Sequence, residues 1–157
     1  MRPCPSKLTR ILSAIERDDP RTAGALAALG RNLLKQGKYA EPEAVLRRCL
    51  GNHLKRPPGP ATSRDEWQAF DARSLLGGAL LGQQQYAAAE PLLLAGYQGM
   101  KERAKTIPPV AQVRLPEAVD RLVALYMATK KPEEMKKWQA ERAKYPKVSE
   151  AALPQKK

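Results

Sequence analysis

Of the residue types that supply nucleophiles, bases and metal ligands, this sequence holds few. His53 is the only histidine, beside Asn52 near the end of an apolar-patterned stretch, and reads as a solvated or structural residue. No second His or Cys stands at metal-ligand spacing from it, which argues against zinc and against any other metal. GGALLG at 77–82 has the outer glycines of a phosphate-binding loop, but Gln83 and Gln84 follow where Lys and Ser/Thr are needed. Ser6, Ser13, Ser63, Ser74 and Ser149 have no neighbouring base to form a nucleophile pair, and the acidic residues lie scattered along helical faces as surface charge. The expectation is a chain without catalysis and without a cofactor, so the remaining kind of function is binding.

Charge bears on what would be bound. The 28 Lys and Arg outnumber the 16 Asp and Glu, for a formal +12. Residues 21–60 hold eight basic and two acidic residues, 101–157 hold fourteen and seven, and 61–100 hold two and four, so the ends are basic and the middle is not. A basic module would take nucleic acid or another polyanion, and Arg31, Lys35, Arg47, Arg48, Lys55 and Arg56 would carry it. Aromatics make up only 5% of the chain, and the single Phe70 makes no stacking platform for bases. Nucleic acid is therefore the second reading, behind a protein or peptide partner. Two cysteines, Cys4 and Cys49, are too few for a disulfide framework and suit a reducing, cytoplasmic setting. No segment approaches 18 apolar residues, so no membrane span is expected, and the N-terminal stretch lacks the unbroken apolar run of a signal peptide.

The elements that would position a binding surface show in a repeated phrase. LGRNLLKQGKY at 29–39 and LGGALLGQQQY at 76–86 both run Leu-Gly, two residues, Leu-Leu and a Tyr at the same distance, at a spacing of 47, from Leu29 to Leu76 and from Tyr39 to Tyr86. A weaker third copy starts at Leu122, 46 residues beyond Leu76. Self-similarity at this period marks an array of supersecondary units. Within a copy, Leu26, Leu29 and Leu33 fall at helical spacing, Gly37 interrupts, and Ala44, Val45, Leu46 and Cys49 begin a second helical stripe. Each copy is thus a helix, a tight turn and a helix. In the second, Ser63 caps a helix from about Arg64 to Gly82 with Glu66 reaching back, and its partner runs from Tyr86 to about Arg103. Gly30 and Gly77 lie mid-helix, where glycine costs about 1 kcal/mol against alanine and needs a packing reason. Ala89 is the expected partner of Gly77, and Pro42 in the equivalent place predicts looser packing in the first copy.

Leu-Gly followed by Gly-x-Tyr and a small residue three places on resembles the tetratricopeptide repeat, and the long period resembles its kinesin-light-chain-like variant. DDPRTAGALAALGRNLLKQGKYAEPEAVL at 18–46 is the closest stretch, and the tandem is similar to segments of bacterial multidomain proteins, often behind a Ser/Thr kinase. The resemblance covers 18–145, and its signature positions are Leu29, Gly30, Gly37, Tyr39, Leu76, Gly77, Tyr86, Ala89, Leu122 and Tyr126. It implies an all-α right-handed superhelix of about three repeats behind an N-terminal helix. The divisions are a capping helix or truncated repeat at 1–19, repeats at 20–56 and 62–105, a degenerate repeat and cap at 115–145, and a loose tail at 146–157. In the third copy Lys130 and Pro132 replace Gly and Tyr, and Val123 replaces Gly, so its helices are expected to cross differently. An array of this kind is either a piece of a longer one or caps itself.

Stacked helix pairs present the first helix of each pair on a concave wall. Opposite the core stripe lie Ala27, Arg31 and Lys35 on the first such helix, Asp71, Ser74 and Gly78 on the second, and Glu117 and Asp120 on the third. That wall is expected to be basic at one end and acidic at the other, with room for an extended peptide. The family's paired asparagines and its carboxylate-clamping Lys/Asn set are absent: Ala27-Ala28, Ser74-Leu75 and Asp120-Arg121 stand there instead.

Overall fold

The computed structural model describes residues 23–54 and 66–145. Six α-helices account for most of them: α1 (Ala23–Lys35), α2 (Ala40–Leu54), α3 (Glu66–Gly82), α4 (Tyr86–Glu102), α5 (Arg114–Ala128) and α6 (Pro132–Ala143). Two short 3-10 turns, Ala104–Thr106 and Pro109–Ala111, carry the proline-rich joint between α4 and α5. There is no strand among the described residues, and no helix there is long and apolar enough to cross a membrane. The expected N-terminal helix, Cys4, the Ser63 cap, Lys55 and Arg56, and the 146–157 tail lie outside the described residues.

Each helix packs against the next, and α3 also touches α1 and α5. The odd helices therefore form one layer, and α2 and α4 lie behind it, each bridging two of them. Contacts that run from Gly77–Leu93 to Gly99–Phe70 set α3 and α4 antiparallel. In the first pair, Gly30–Leu46 and the Cys49 Sγ–Ala23 O contact at 3.3 Å do the same for α1 and α2.

The turns repeat as the sequence does. Gly37, Gln84 and Lys130, 47 and 46 residues apart, all take positive φ, at 72°, 63° and 55°. After each, a backbone N–H reaches five residues back, from Lys38 to Leu33 O, Gln85 to Leu80 O and Lys131 to Tyr126 O, and the residue before it bonds three back. This is the Schellman closure, which satisfies the last carbonyls of a helix. The third copy keeps the turn with a lysine where the first has glycine.

α3 is the central element. Asp71, Ala72 and 74–80 are all buried, so SLLGGAL lacks a polar face because neighbours surround it on every side. Small residues let those neighbours close in. A Cβ on Gly77 would stand 2.7 Å from Leu93 Cγ, and one on Gly30 the same distance from Leu46 Cδ2. The partner of the repeated glycine is thus the leucine four places after Ala89, because that leucine drops its side chain into the gap. Ala89 is itself fully buried, in the same core cluster as Leu76 and Leu93. At this contact the two pairs are equally close, but the second pair adds the close approaches of Gly96 to Phe70 O and of Gly99 to the Phe70 ring, in line with the looser first copy expected from Pro42. In α1 the buried line runs Ala23, Leu26, Gly30 and Leu33, with Leu29 only half-buried.

At the far end, α6 contributes no buried residue and holds on through Met135 and Trp138. The Tyr97 ring meets Trp138 edge-on at 5.3 Å, and its hydroxyl donates to Glu141 at 2.6 Å. The Tyr126 hydroxyl donates to Glu90 at 2.9 Å, which ties α5 to α4, and burial pushes that phenol up to about 12.

Candidate functional site: a polar wall on the odd helices

An apolar layer would pack α1, α3 and α5 most simply, yet the surface they share is laced with charge. Arg31 of α1 donates through Nη2 to Asp71 Oδ2 of α3 at 2.6 Å. Arg121 of α5 donates through Nη1 to the Ser74 hydroxyl at 3.1 Å, and its Cδ lies against Gly78 where a Cβ would come within 3.1 Å. Gly78 is small because the arginine crosses it. Glu117 accepts from Arg114 at 3.0 Å and stands 4.0 Å from Arg121.

Asp71 is 3% exposed and Ser74 fully covered, so the acidic residues are not all surface charge. Burial pushes the Asp71 carboxyl up, while the guanidinium groups of Arg31, Arg121 and Arg114 pull it back down. Burial likewise lowers Arg121, and Asp71 and Glu117 oppose that. The guanidinium groups and carboxylates thus oppose the effect of burial on one another, as the members of a buried ion cluster must.

The structure brings Arg31, Asp71, Ser74, Gly78 and Glu117 together, with half-buried Ala27 at their edge. It leaves two candidates out. Lys35 is exposed at the end of α1, and Asp120 turns outward to accept from Arg142 of α6 at 2.8 Å. The wall is therefore interleaved rather than basic at one end and acidic at the other, because cations and carboxylates from adjacent helices pair across the layer. Of the basic set, Arg31 is bound to Asp71 and Arg47 to Glu43 at 2.8 Å. His53 is half-buried and lines the mouth of the wall.

Sequence reasoning missed Arg114, Arg121 and Trp67. A signal for Arg121 existed: it stands 47 residues after Ser74, as Ser74 stands 47 after Ala27. In chemical terms the wall offers guanidinium donors, a covered carboxylate and small side chains. The Ser74 oxygen faces a guanidinium, which cannot take its proton. Cys49 is buried, and desolvation pushes its thiol up to about 11, far from the thiolate needed for reaction. Among the described residues no three His, Cys, Asp or Glu side chains gather to hold a metal ion. Comparison with protein-family models, with curated proteins and with solved structures finds no match to this chain.

Proposed function

We propose that this protein is a non-catalytic interaction scaffold, a short superhelical array of tetratricopeptide-like repeats that binds a peptide or protein segment in the groove lined by α1, α3 and α5. The identical turns 47 and 46 residues apart support the array, as do the repeated Gly30–Leu46 and Gly77–Leu93 contacts. The interleaved Arg31, Asp71, Ser74, Glu117 and Arg121 carry the binding reading. Holding charge in a covered wall is costly unless it is satisfied, and a hydrophobic layer would be at least as stable. A wall of alternating donors and acceptors matches an extended chain, which presents both along its length.

The test is selection of peptides from a displayed random library against the full chain, followed by affinity measurement at about 50 mM and about 300 mM salt. Enriched peptides should bind with little salt dependence and lose about tenfold in affinity in the folded Arg121→Met variant. Duplex DNA would behave differently, losing about tenfold or more over that range. Failure to enrich any peptide, or steeply salt-dependent DNA binding in its place, sinks the proposal.

A further inference from the structure

The cleft between α4 and α6 is a second concave surface, apart from the wall on the odd helices. Its volume is ≈ 530 Å³, inside the range of about 300–1,000 Å³ typical of small-molecule sites. Counting back 47 residues from α4 and 46 from α6, the positions of Tyr97, Lys101, Trp138 and Glu141 are held by Leu50, Leu54, Leu92 and Ala95. Leu50 and Leu92 serve as ordinary packing against the core. The repeated pattern therefore does not require an aromatic and charged lining, and the α4–α6 cleft departs from it.

Leu94, Ala95 and the half-buried Trp138 ring make up the apolar part of the cleft. Tyr97 is only 1% exposed and Trp138 Nε1 is buried, so neither the phenol nor the indole N–H is offered to a ligand. The available polar groups stand at the rim. Lys101 Nζ lies 5.7 Å from the centre of the Tyr97 ring, and Lys137 Nζ 6.0 Å from that of Trp138. Lys101 donates to Glu141 at 2.8 Å, while the carboxylate nearest Lys137 among the described residues is Glu134 at 3.9 Å, beyond hydrogen-bond reach. Both lysines are exposed, and an ammonium has three donors, so each has N–H groups to spare. Glu141 is already held by Tyr97, Lys101 and Lys144, and Gln98 donates its amide to Glu102. Around the cleft Lys101, Lys137 and Lys144 stand against Glu134 and Glu141, three charges to two, which favours an anion over a further cation.

We infer that this cleft binds an aromatic body bearing a carboxylate, with the body on Leu94 and the Trp138 ring and the carboxylate at the rim with the Lys101 and Lys137 ammonium groups. The site is independent of the groove on the odd helices. Such a group is either a free aryl acid or the C-terminal residue of another chain, and the probes separate the two. 3-Phenylpropionate is titrated into the full chain with the indole nitrogens labelled. Trp67 and Trp138 are the only tryptophans, and Trp67 lines the separate cavity at the mouth of the wall. The Trp138 signal should move and saturate while the Trp67 signal holds still. 3-Phenylpropionamide, of the same shape without the charge, should bind about threefold more weakly, and Lys137→Gln should weaken the acid by about the same factor. Ala95→Phe changes an exposed residue and fills the mouth of the cleft, so it should abolish the saturating shift. A peptide ending in a free phenylalanine carboxylate that binds at least as tightly as the acid assigns the site to a chain terminus, and one that binds more weakly assigns it to a free acid. An amide that matches the acid, unchanged affinity in Lys137→Gln, or two indole signals drifting together without saturation overturns the site.

Discussion

Glu141 collects three donors in a half-open setting: Lys101 at 2.8 Å and the Tyr97 hydroxyl at 2.6 Å on one oxygen, Lys144 at 2.6 Å on the other. The Lys101 bond first, then Lys144 and Tyr97, holds its carboxyl down to about 2, against an ordinary 4.5. A carboxylate with a lowered native pKa stabilises the fold fully above its ordinary value and loses that contribution as pH falls towards the native one. Glu141→Gln should therefore lower stability by about 1–2 kcal/mol near neutrality, a figure held down by the exposure of both lysines. Wild type and variant should converge as urea denaturation is repeated from pH 5 down to pH 2; a gap that stayed constant would assign the residue a role unrelated to its charge. Glycines offer a second residue-scale contrast. Nothing lies within 4 Å of a Cβ built on Gly51, so Gly51→Ala should raise stability by about 1 kcal/mol through helix propensity. Gly77→Ala meets the Leu93 side chain and should cost about 1–2 kcal/mol, and Gly96→Ala, which meets Phe70 O and Ser74 N at 2.8 Å, about 2–3, because backbone cannot step aside. Equal effects at the three sites would refute the close-approach account.

The closing turns of α1, α3 and α5 are built from main chain alone, which is why one motif accepts Gly37, Gln84 and Lys130. An L-residue in this left-handed conformation costs about 1–2 kcal/mol, of which glycine's extra freedom when unfolded returns roughly half. Lys130→Gly should accordingly raise stability by about 0.5–1 kcal/mol in denaturant titrations, and Gly37→Ala should lower it by about 1. A destabilised Lys130→Gly would mean the side chain supplies something the turn needs. The helices themselves were legible in the sequence, because apolar spacing and the period mark them, although α3 is enclosed on every side and α6 buries no residue. Their partners across the layer were not. Asp71 looks like surface charge from its neighbours in sequence, and only the packing of α1 on α3 brings a guanidinium from 40 residues earlier to it. Arg121 escaped notice for the same reason, since its position over Gly78 depends on how α5 lies against α3. Gly96 carries the closest backbone approach in the α3–α4 pair and Gly99 lies under the Phe70 ring, yet both fall outside the repeated phrase.

On the scale of the whole molecule, the helices contact chiefly their neighbours in sequence and have unequal numbers of supports, so stability should follow the count of faces covered. α3 is enclosed by α1, α2, α4 and α5, whereas α6 rests on α5 and on its Tyr97, Lys101 and Asp120 ties without burying a residue of its own. Opening α6 therefore exposes little apolar surface, while opening α3 dismantles both layers. Native-state hydrogen exchange should show this as a gradient, with the amides of 75–80 slowest and those in the second half of α6 exchanging faster by a factor of about ten or more. Glu141→Gln should speed exchange in α6 and leave the slowest α3 amides changed only by the global loss, because the ties it removes are confined to α6 and its contacts with α4. If α3 and α6 instead exchanged at one rate, the molecule would open as a single unit, and a neighbour-by-neighbour architecture would be wrong despite the repeated turns.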